Sequence, residues 1–351
     1  MNEFIYNALP GRVVFGMGKI QSLAEEIDRL GCRRVMVVTT PDQSSQGEVV
    51  RELIGSRWAV NFNEARMHVP TDIVDGALDI ATAAEVDCVV GIGGGSTIGL
   101  CKGLALRADL KIIAVPTTYA GSEMTPIWGM TENGIKTTGR DNRVLPSTVI
   151  YDPVLTLTLP SFVSGPSGVN AIAHCVEALY SPDANPVTSL IAEEGIRALS
   201  NSLVQVVNQA NDCEARTEAL YGANMAGSAL AVAGVSLHHK LCHTLGGSFD
   251  LPHAEVHTII LPYATRYNTE AAPEAMLRIC RAMGTEDAAQ GLFELNRALG
   301  AKTGLKDIGF ELSDIEKCAD IATQKPYPNP APVTKDGIIQ LLTQAYHGEC
   351  P

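Results

Sequence analysis

Val86-Asp-Cys-Val-Val-Gly-Ile92, running on into Gly93-Gly-Gly-Ser-Thr97, decides the fold of this chain. The first part is a short apolar run, as in a strand buried on both faces of a sheet. The second is a glycine loop, and an Ala/Leu-rich helical stretch follows it to about Leu106. Glycines let backbone approach a phosphate closely. N–H groups at the start of the next helix then point at the anion, and the helix dipole adds to the attraction. Glycine runs alone are weak signals, and this one is not G-x-G-x-x-G. The strand–loop–helix setting is what makes it a phosphate site.

Working outward, the same alternation recurs. Ile20, Leu23, Ala24, Ile27 and Leu30 follow helical spacing, and Gly31 suits a C-terminal cap. Val35-Met-Val-Val38 reads as a second buried strand, followed by a loop from Thr39 and a helix carrying Val49, Val50, Leu53 and Ile54. Trp58-Ala-Val and Lys111-Ile-Ile-Ala-Val115 read as further strands, and Asp72 opens another helix. Phe4, Tyr6, Val13, Val14 and Phe15 suggest short strands near the start. This is an α/β domain with a mostly parallel sheet, assigned to residues 1–159. After Pro160 the texture changes to Ala/Leu/Glu-rich helical stretches at 185–209, 214–236, 272–283 and 287–300, with a last helix at about 334–346. Residues 160–351 are therefore read as an all-helical domain. The segment from Val144 to Pro160 is read as an extended crossing strand, and Pro326 to Pro332 as a rigid loop.

The helical half holds the chemistry. Six of the eight histidines lie between positions 174 and 257. Histidine titrates nearest neutrality and is the commonest metal ligand. Asn170-Ala-Ile-Ala-His174 pairs an amide with an imidazole one helical turn apart, and His239 and His243 repeat that spacing. Gly246 and Gly247 permit a turn that returns His253 to the same neighbourhood. A single histidine in an apolar helix is usually a hydrogen-bonded core residue; a cluster of this size points to a site. Three histidines suffice for zinc or iron.

His239-Lys-Leu-Cys-His243, the glycine pair after it, His253, and N-A-I-A-H followed by x-x-E-A together resemble the iron-containing (group III) alcohol dehydrogenase family. The resemblance runs over nearly the whole chain. It implies the architecture that family shares with dehydroquinate synthase, and a metal held by an Asp and three histidines. The matching positions are Asn170, His174, His239 and His253, with His243 the further histidine beside the nicotinamide. Asn170 departs from the pattern, because an amide brings no charge to a divalent ion. N-A-I-A-H, Gly139-Arg-Asp, Val144-Leu-Pro and Tyr151-Asp-Pro resemble the branch of maleylacetate reductases, which implies catalysis without a metal. For the cofactor, the resemblance implies that Gly93, Gly94, Gly95, Ser96, Thr97 and Lys102 hold the pyrophosphate, with Gly99 where the family has Asp. It implies nucleotide contacts from Thr39, Thr117 and Thr118, and from Lys136 near the ribose. Thr40 stands where NAD-preferring relatives carry Asp. It neither repels nor attracts a 2′-phosphate, so NADH and NADPH are both expected.

The activity implied is NAD(P)H-dependent reduction of the C=C bond of maleylacetate to give 3-oxoadipate, in aromatic compound catabolism. His243 is the first choice for general acid and His253 the alternate. Without a metal, His239, His253 or Asn170 would donate the hydrogen bond to the ketone oxygen, and a structural role is expected for His174. Arg143, Lys240 and the Asn170 amide are candidate partners for the substrate carboxylates. His238 and His257 are read as non-catalytic. The alternative is a metal-dependent alcohol dehydrogenase with iron or zinc on His174, His239 and His253. A lyase related to dehydroquinate synthase would keep an acidic first ligand and several substrate-binding lysines and arginines.

Composition sets limits. The net charge of −13 gives no electrostatic footprint for nucleic acid. No apolar run approaches a membrane span, and the first residues lack the pattern of a signal peptide. Nine cysteines without C-x-x-C spacing read as free thiols of a reducing compartment, so the cytoplasm is expected; a homodimer is what the resemblance implies. An acidic protein acting on a dicarboxylate needs local positive charge at its site.

Overall fold

The computed structural model describes residues 3–9 and 11–351, and Met1 and Asn2, which entered the reading of the first residues, lie outside that range. Two compact units are present, Leu9–Thr158 and Leu159–Pro351, with residues 3–8 grouping with the second.

The first unit is built on a six-stranded sheet, all parallel. Its strands are β1 (Arg12–Phe15), β2 (Val35–Val38), β3 (Trp58–Phe62), β4 (Cys88–Gly93), β5 (Lys111–Pro116) and, after the hairpin β6 (Ile127–Glu132) and β7 (Ile135–Arg140), β8 (Thr148–Tyr151). The order across the sheet is β1-β8-β5-β4-β2-β3. Helices α1 (Leu23–Arg29), α2 (Ser44–Ile54), α3 (Thr71–Ala83) and α4 (Gly95–Arg107) lie in the connections. Strand alternation sorts the core into two layers. Met36, Val38 and Val89 face the cluster that holds Val74, Leu100 and Leu104, while Val35, Val37, Val90 and Ile92 face Leu23, Ile27, Val50 and Ile54. The chain moves one way across the sheet from β2 to β3 and the other way from β4 to β5. The carboxyl ends of β2 and β4 therefore flank the switch point where open α/β sheets bind ligands.

Two expectations need correction. Residues 3–9 form no strand, because they make no ladder with the sheet; pairing begins at Arg12. The segment after Val144 is not a crossing linker. Thr148–Tyr151 is an interior strand between β1 and β5, buried along its whole length. The β6–β7 hairpin is an addition that the sequence reading did not contain.

The second unit is helical. Helices α5 (Ser161–Tyr180), α6 (Pro186–Asn208) and α7 (Cys213–Val232) pack on one another. They are followed by α8 (Leu237–Phe249), α9 (His253–Tyr267), α10 (Pro273–Met283), α11 (Ala288–Ala298), α12 (Ile315–Thr323) and α13 (Lys335–His347). Leu237, Leu241 and Leu245 turn one stripe of α8 into a core with Val256, Ile260, Phe293 and Leu342. That stripe leaves the histidines of α8 on other faces. Among the described residues no single helix is long and apolar enough to cross a membrane, and all nine cysteines are free.

Candidate functional site

In the first unit, three loops at the carboxyl ends of β2, β4 and β5 are tied together. Thr117 N–H donates to Gly93 O at 3.0 Å, and Gln43 Nε2 donates to Thr117 Oγ1 at 3.0 Å. Gly93 has φ +153, and a Cβ there would collide with Thr97 Oγ1 and lie 2.8 Å from Gln43 Oε1. Only glycine suits that position. Thr118 closes over Gly94, whose added Cβ would lie 3.0 Å from Thr118 Cγ2. Gly95, by contrast, is open, and α4 begins there with its first N–H groups available. Thr97 Oγ1 is buried under the loop without a hydrogen-bond partner. This glycine cradle at a helix N-terminus fits a dinucleotide pyrophosphate.

The other residues assigned to the cofactor have varied surroundings. Ser96 is half-buried in the first turn of α4. Thr40 is half-buried, with its hydroxyl 3.2 Å from Gln43 Oε1. Thr39 is buried, and its hydroxyl donates to Asn63 Oδ1 at 2.9 Å. Lys136 is exposed on β7. Lys102 is a correction. Its side chain is buried, and Nζ reaches Ser122 O (2.6 Å), Thr125 O (2.8 Å), Thr125 Oγ1 (3.0 Å) and Ile127 O (2.8 Å). Four oxygens take up its three hydrogens, so it anchors the 122–127 segment and has none left for a phosphate. Burial pulls its ammonium down to about 7, opposed by the charge of Glu123. Gly99 is explained by packing: a Cβ there would lie 2.6 Å from Val69 Cγ2, so the aspartate of the family pattern has no room.

In the second unit, α5 carries Asn170 and His174, α8 carries His238, His239 and His243, and α9 carries His253 and His257. The rings of His174 and His239 stack with centroids 4.9 Å apart. His243 lies 6.1 Å from His239 and stacks on His253 at 6.4 Å. The cluster is graded in exposure: His174 and His239 are buried, while His243 and His253 reach the surface of their unit. Burial holds His174 well below its ordinary range, aided by the neighbouring imidazoles, and pushes His239 down to about 3. These two rings are neutral. Asn170 Oδ1, His174 Nδ1 and His239 Nε2 are buried without hydrogen-bond partners. His238 Nε2 and His257 Nδ1 meet at 3.0 Å, with Cys242 Sγ 3.6 Å from His238 Nε2; an imidazole–imidazole hydrogen bond joins the two rings, and His257 Nε2 is buried without a partner.

A residue without an assigned role stands behind His239. Glu177 is fully buried, and its Oε2 lies 2.6 Å from His239 Nδ1. The same carboxyl accepts the backbone N–H of Ser236 and His238 at 2.8 and 2.7 Å. Burial pushes it up to about 8 and those N–H groups pull it down. Gln43 is likewise a link that the sequence reading missed; it ties loops far apart in the chain and has no local signature. Of the two candidate cations for the substrate, Arg143 is exposed but held by Asp141 and the Leu106 carbonyl. Lys240 lies on α8 between His239 and His243, with Nζ 6.0 Å from the centre of the Tyr327 ring.

The donor set of an amide and imidazoles fits a divalent ion only in part. Unpartnered acceptors are available, but no anionic ligand is among Asn170, His174, His239 and His253.

Comparison with known proteins agrees with both halves of this description. Residues 10–153 match the model of the iron-containing alcohol dehydrogenases, and residues 165–346 match that of the C-terminal region of the Fe-containing alcohol dehydrogenase family. The chain is 51% identical over 349 residues to maleylacetate reductase of Sphingobium indicum, covering 99% of each. It is 51% identical to maleylacetate reductase of Burkholderia cepacia, covering 100% of each. The crystal structure of maleylacetate reductase from Agrobacterium tumefaciens superposes over 100% of both chains with a TM-score of 0.98 at 47% identity. The chain belongs to the iron-containing alcohol dehydrogenase family.

Proposed function

We infer that this enzyme reduces the C=C bond of maleylacetate with NADH or NADPH, giving 3-oxoadipate in the breakdown of aromatic compounds, and that it does so without a metal. The observation that carries the reading is Asn170. It sits one turn from His174 with Oδ1 buried and unpartnered, and it brings no charge to a metal. The near-50% identity to maleylacetate reductases along the full length supports the substrate.

The bound nicotinamide supplies the hydride. The substrate accepts it at the alkene carbon distant from the ketone, so electron density moves to the ketone oxygen and a proton must reach the neighbouring carbon. The Asn170 amide and imidazole N–H groups of His239 and His253 are the donors for that oxygen. His243 delivers the proton, with His253, stacked on it, as the alternate. Lys240 is the better carboxylate anchor, since Arg143 is already engaged by Asp141. Gly93, Gly94, Gly95, Ser96 and Thr97 cradle the pyrophosphate, with Thr39, Thr40, Thr117, Thr118 and Lys136 around the nucleotide. A cytoplasmic homodimer belongs to the same proposal, supported by the free thiols and the resemblance.

A second reading draws on the three unpartnered atoms Asn170 Oδ1, His174 Nδ1 and His239 Nε2. A divalent ion there would be held by His174, His239 and His253, with Asn170 or water completing the shell, and would polarise the ketone as a Lewis acid. The deciding experiment is oxidation of NADH by maleylacetate, before and after exhaustive chelation, with elemental analysis of the protein. Equal activity in both, with no bound metal, is the expected result. Activity that collapses on chelation and returns with Fe²⁺ or Zn²⁺ would establish the second reading.

A further inference from the structure

The N-terminus of α8 has no cap of its own. Ser236, at the N-cap position, makes no side-chain capping bond. Its first N–H groups are satisfied from another helix, by Glu177 of α5: Oε1 takes the N–H of His238 (2.7 Å) and more weakly that of His239 (3.4 Å), and Oε2 takes that of Ser236 (2.8 Å). A carboxyl at the positive end of a helix is well placed. What a cap does not require is the fourth contact, Oε2 to His239 Nδ1 at 2.6 Å. That contact engages one nitrogen of the ring and leaves Nε2, buried and unpartnered, on the other side. His239 stacks on His174, so its ring plane is fixed from two directions.

We propose that Glu177 is a positioning residue for the reaction: by binding the α8 N-terminus and His239 Nδ1 together, it makes Nε2 the only nitrogen that His239 presents to substrate. A single proton lies between Oε2 and Nδ1. The ring cannot rotate to offer Nδ1 instead without giving up its 2.6 Å contact with Oε2. The groups around it leave no substitute partner for Nδ1, since His174 covers one face of the ring, and His238 and His257 approach it edge-on. Which nitrogen a histidine presents is set by the hydrogen bond its other nitrogen makes, and where the histidine binds a metal the loss of such a partner costs about 10–100-fold.

The activity arm of the test rests on the maleylacetate reading; the spectroscopic arm does not. Glu177→Gln keeps the size of the side chain but can no longer offer two acceptor oxygens. In a folded variant, with helical circular dichroism like that of the wild type, kcat falls about 10–100-fold while KM for NADH stays within about twofold. In the ¹⁵N-histidine-labelled wild type, the short Glu177–His239 contact gives a far-downfield, exchange-protected proton resonance that disappears in both Glu177→Gln and His239→Gln. A helix cap alone would not give the resonance, because capping involves no imidazole nitrogen. Folded Glu177→Gln with kcat within twofold of the wild type overturns the proposal, and so does absence of the resonance from the wild type. If the wild type does not reduce maleylacetate, the functional reading fails, and the resonance still decides the role of Glu177. If Glu177→Gln does not fold, the wild-type resonance decides it.

Discussion

Replacing Lys102 with Met should lower the melting temperature of the first unit by about 6–12 °C. The side chain is buried, so the unbranched thioether fills nearly the same space, and what changes is the fate of four oxygens. Ser122 O keeps the Thr125 N–H at 3.1 Å, and Thr125 Oγ1 keeps the Ile127 N–H at 3.3 Å. The carbonyls of Thr125 and Ile127 are worse off. Asp141 N–H bonds Pro126 O, so Ile127 O, next along the strand, points away from β7 and cannot find a ladder partner there. At about 1–3 kcal/mol for each stranded buried acceptor, the loss is about 2–6 kcal/mol. No longer burying an ammonium returns part of it, leaving a net of about 3 kcal/mol. For the 150 residues of Leu9–Thr158, each kcal/mol moves the transition by about 2–4 °C. Scanning calorimetry of wild type and variant, with and without NADH, reads the shift. A transition within about 2 °C of the wild type would refute the reasoning, because Lys102 would then not be holding the 122–127 segment.

Three other outcomes follow from the same geometry. The Lys102 value in the folded protein, about 7 against an ordinary 10.5, means that the unfolded chain binds more protons between those limits, so stability rises with pH there; urea midpoints at pH 7 and pH 9 should rise less in Lys102→Met than in the wild type. Gly93→Ala puts a methyl group into Thr97 at φ +153 and should weaken NADH binding at least about tenfold, read by fluorescence titration. With Thr40 beside the ribose, as proposed, Thr40→Asp should shift the kcat/KM ratio toward NADH by about tenfold or more.

Features fixed by local chemistry were legible in the sequence. Gly93 is needed whatever surrounds it, because its backbone conformation and the hydroxyl of Thr97 four residues on are both local. The leucine stripe of α8 repeats every four residues, so its placement in a core followed from periodicity. The β6–β7 hairpin was legible but unread: Glu132-Asn-Gly-Ile135 carries the Asn-Gly turn signal, and Asn133 and Gly134 adopt φ 50 and 77. Strand β6 is half-buried, β7 is largely exposed, and both lack apolar alternation, which hid them. Lys102 and Glu177 were not legible in the same way. Each sits in an apolar stretch of helix where a charge looks out of place, but the groups that satisfy it lie 20 or more and 59 or more residues away. Their roles arise only when α4 meets the 122–127 segment and α5 meets the start of α8.

The charges around the histidines make a further connection between sequence and chemistry. Among the described residues Glu177 is the carboxyl in contact with His239, and it binds the α8 N-terminus. The buried imidazoles are neutral, since burial depresses both His174 and His239. An aspartate at position 170 would add a buried negative charge, which is tolerable only with a cation beside it. If a metal is present, that charge helps to hold it. Without one, it would sit next to an incoming dicarboxylate in a protein already carrying a net charge of −13. Like charges brought together out of water cost several kcal/mol. The amide of Asn170 avoids that repulsion while keeping the shape of the side chain and adding two N–H donors. On this argument the amide at position 170 and an anionic substrate are one adaptation.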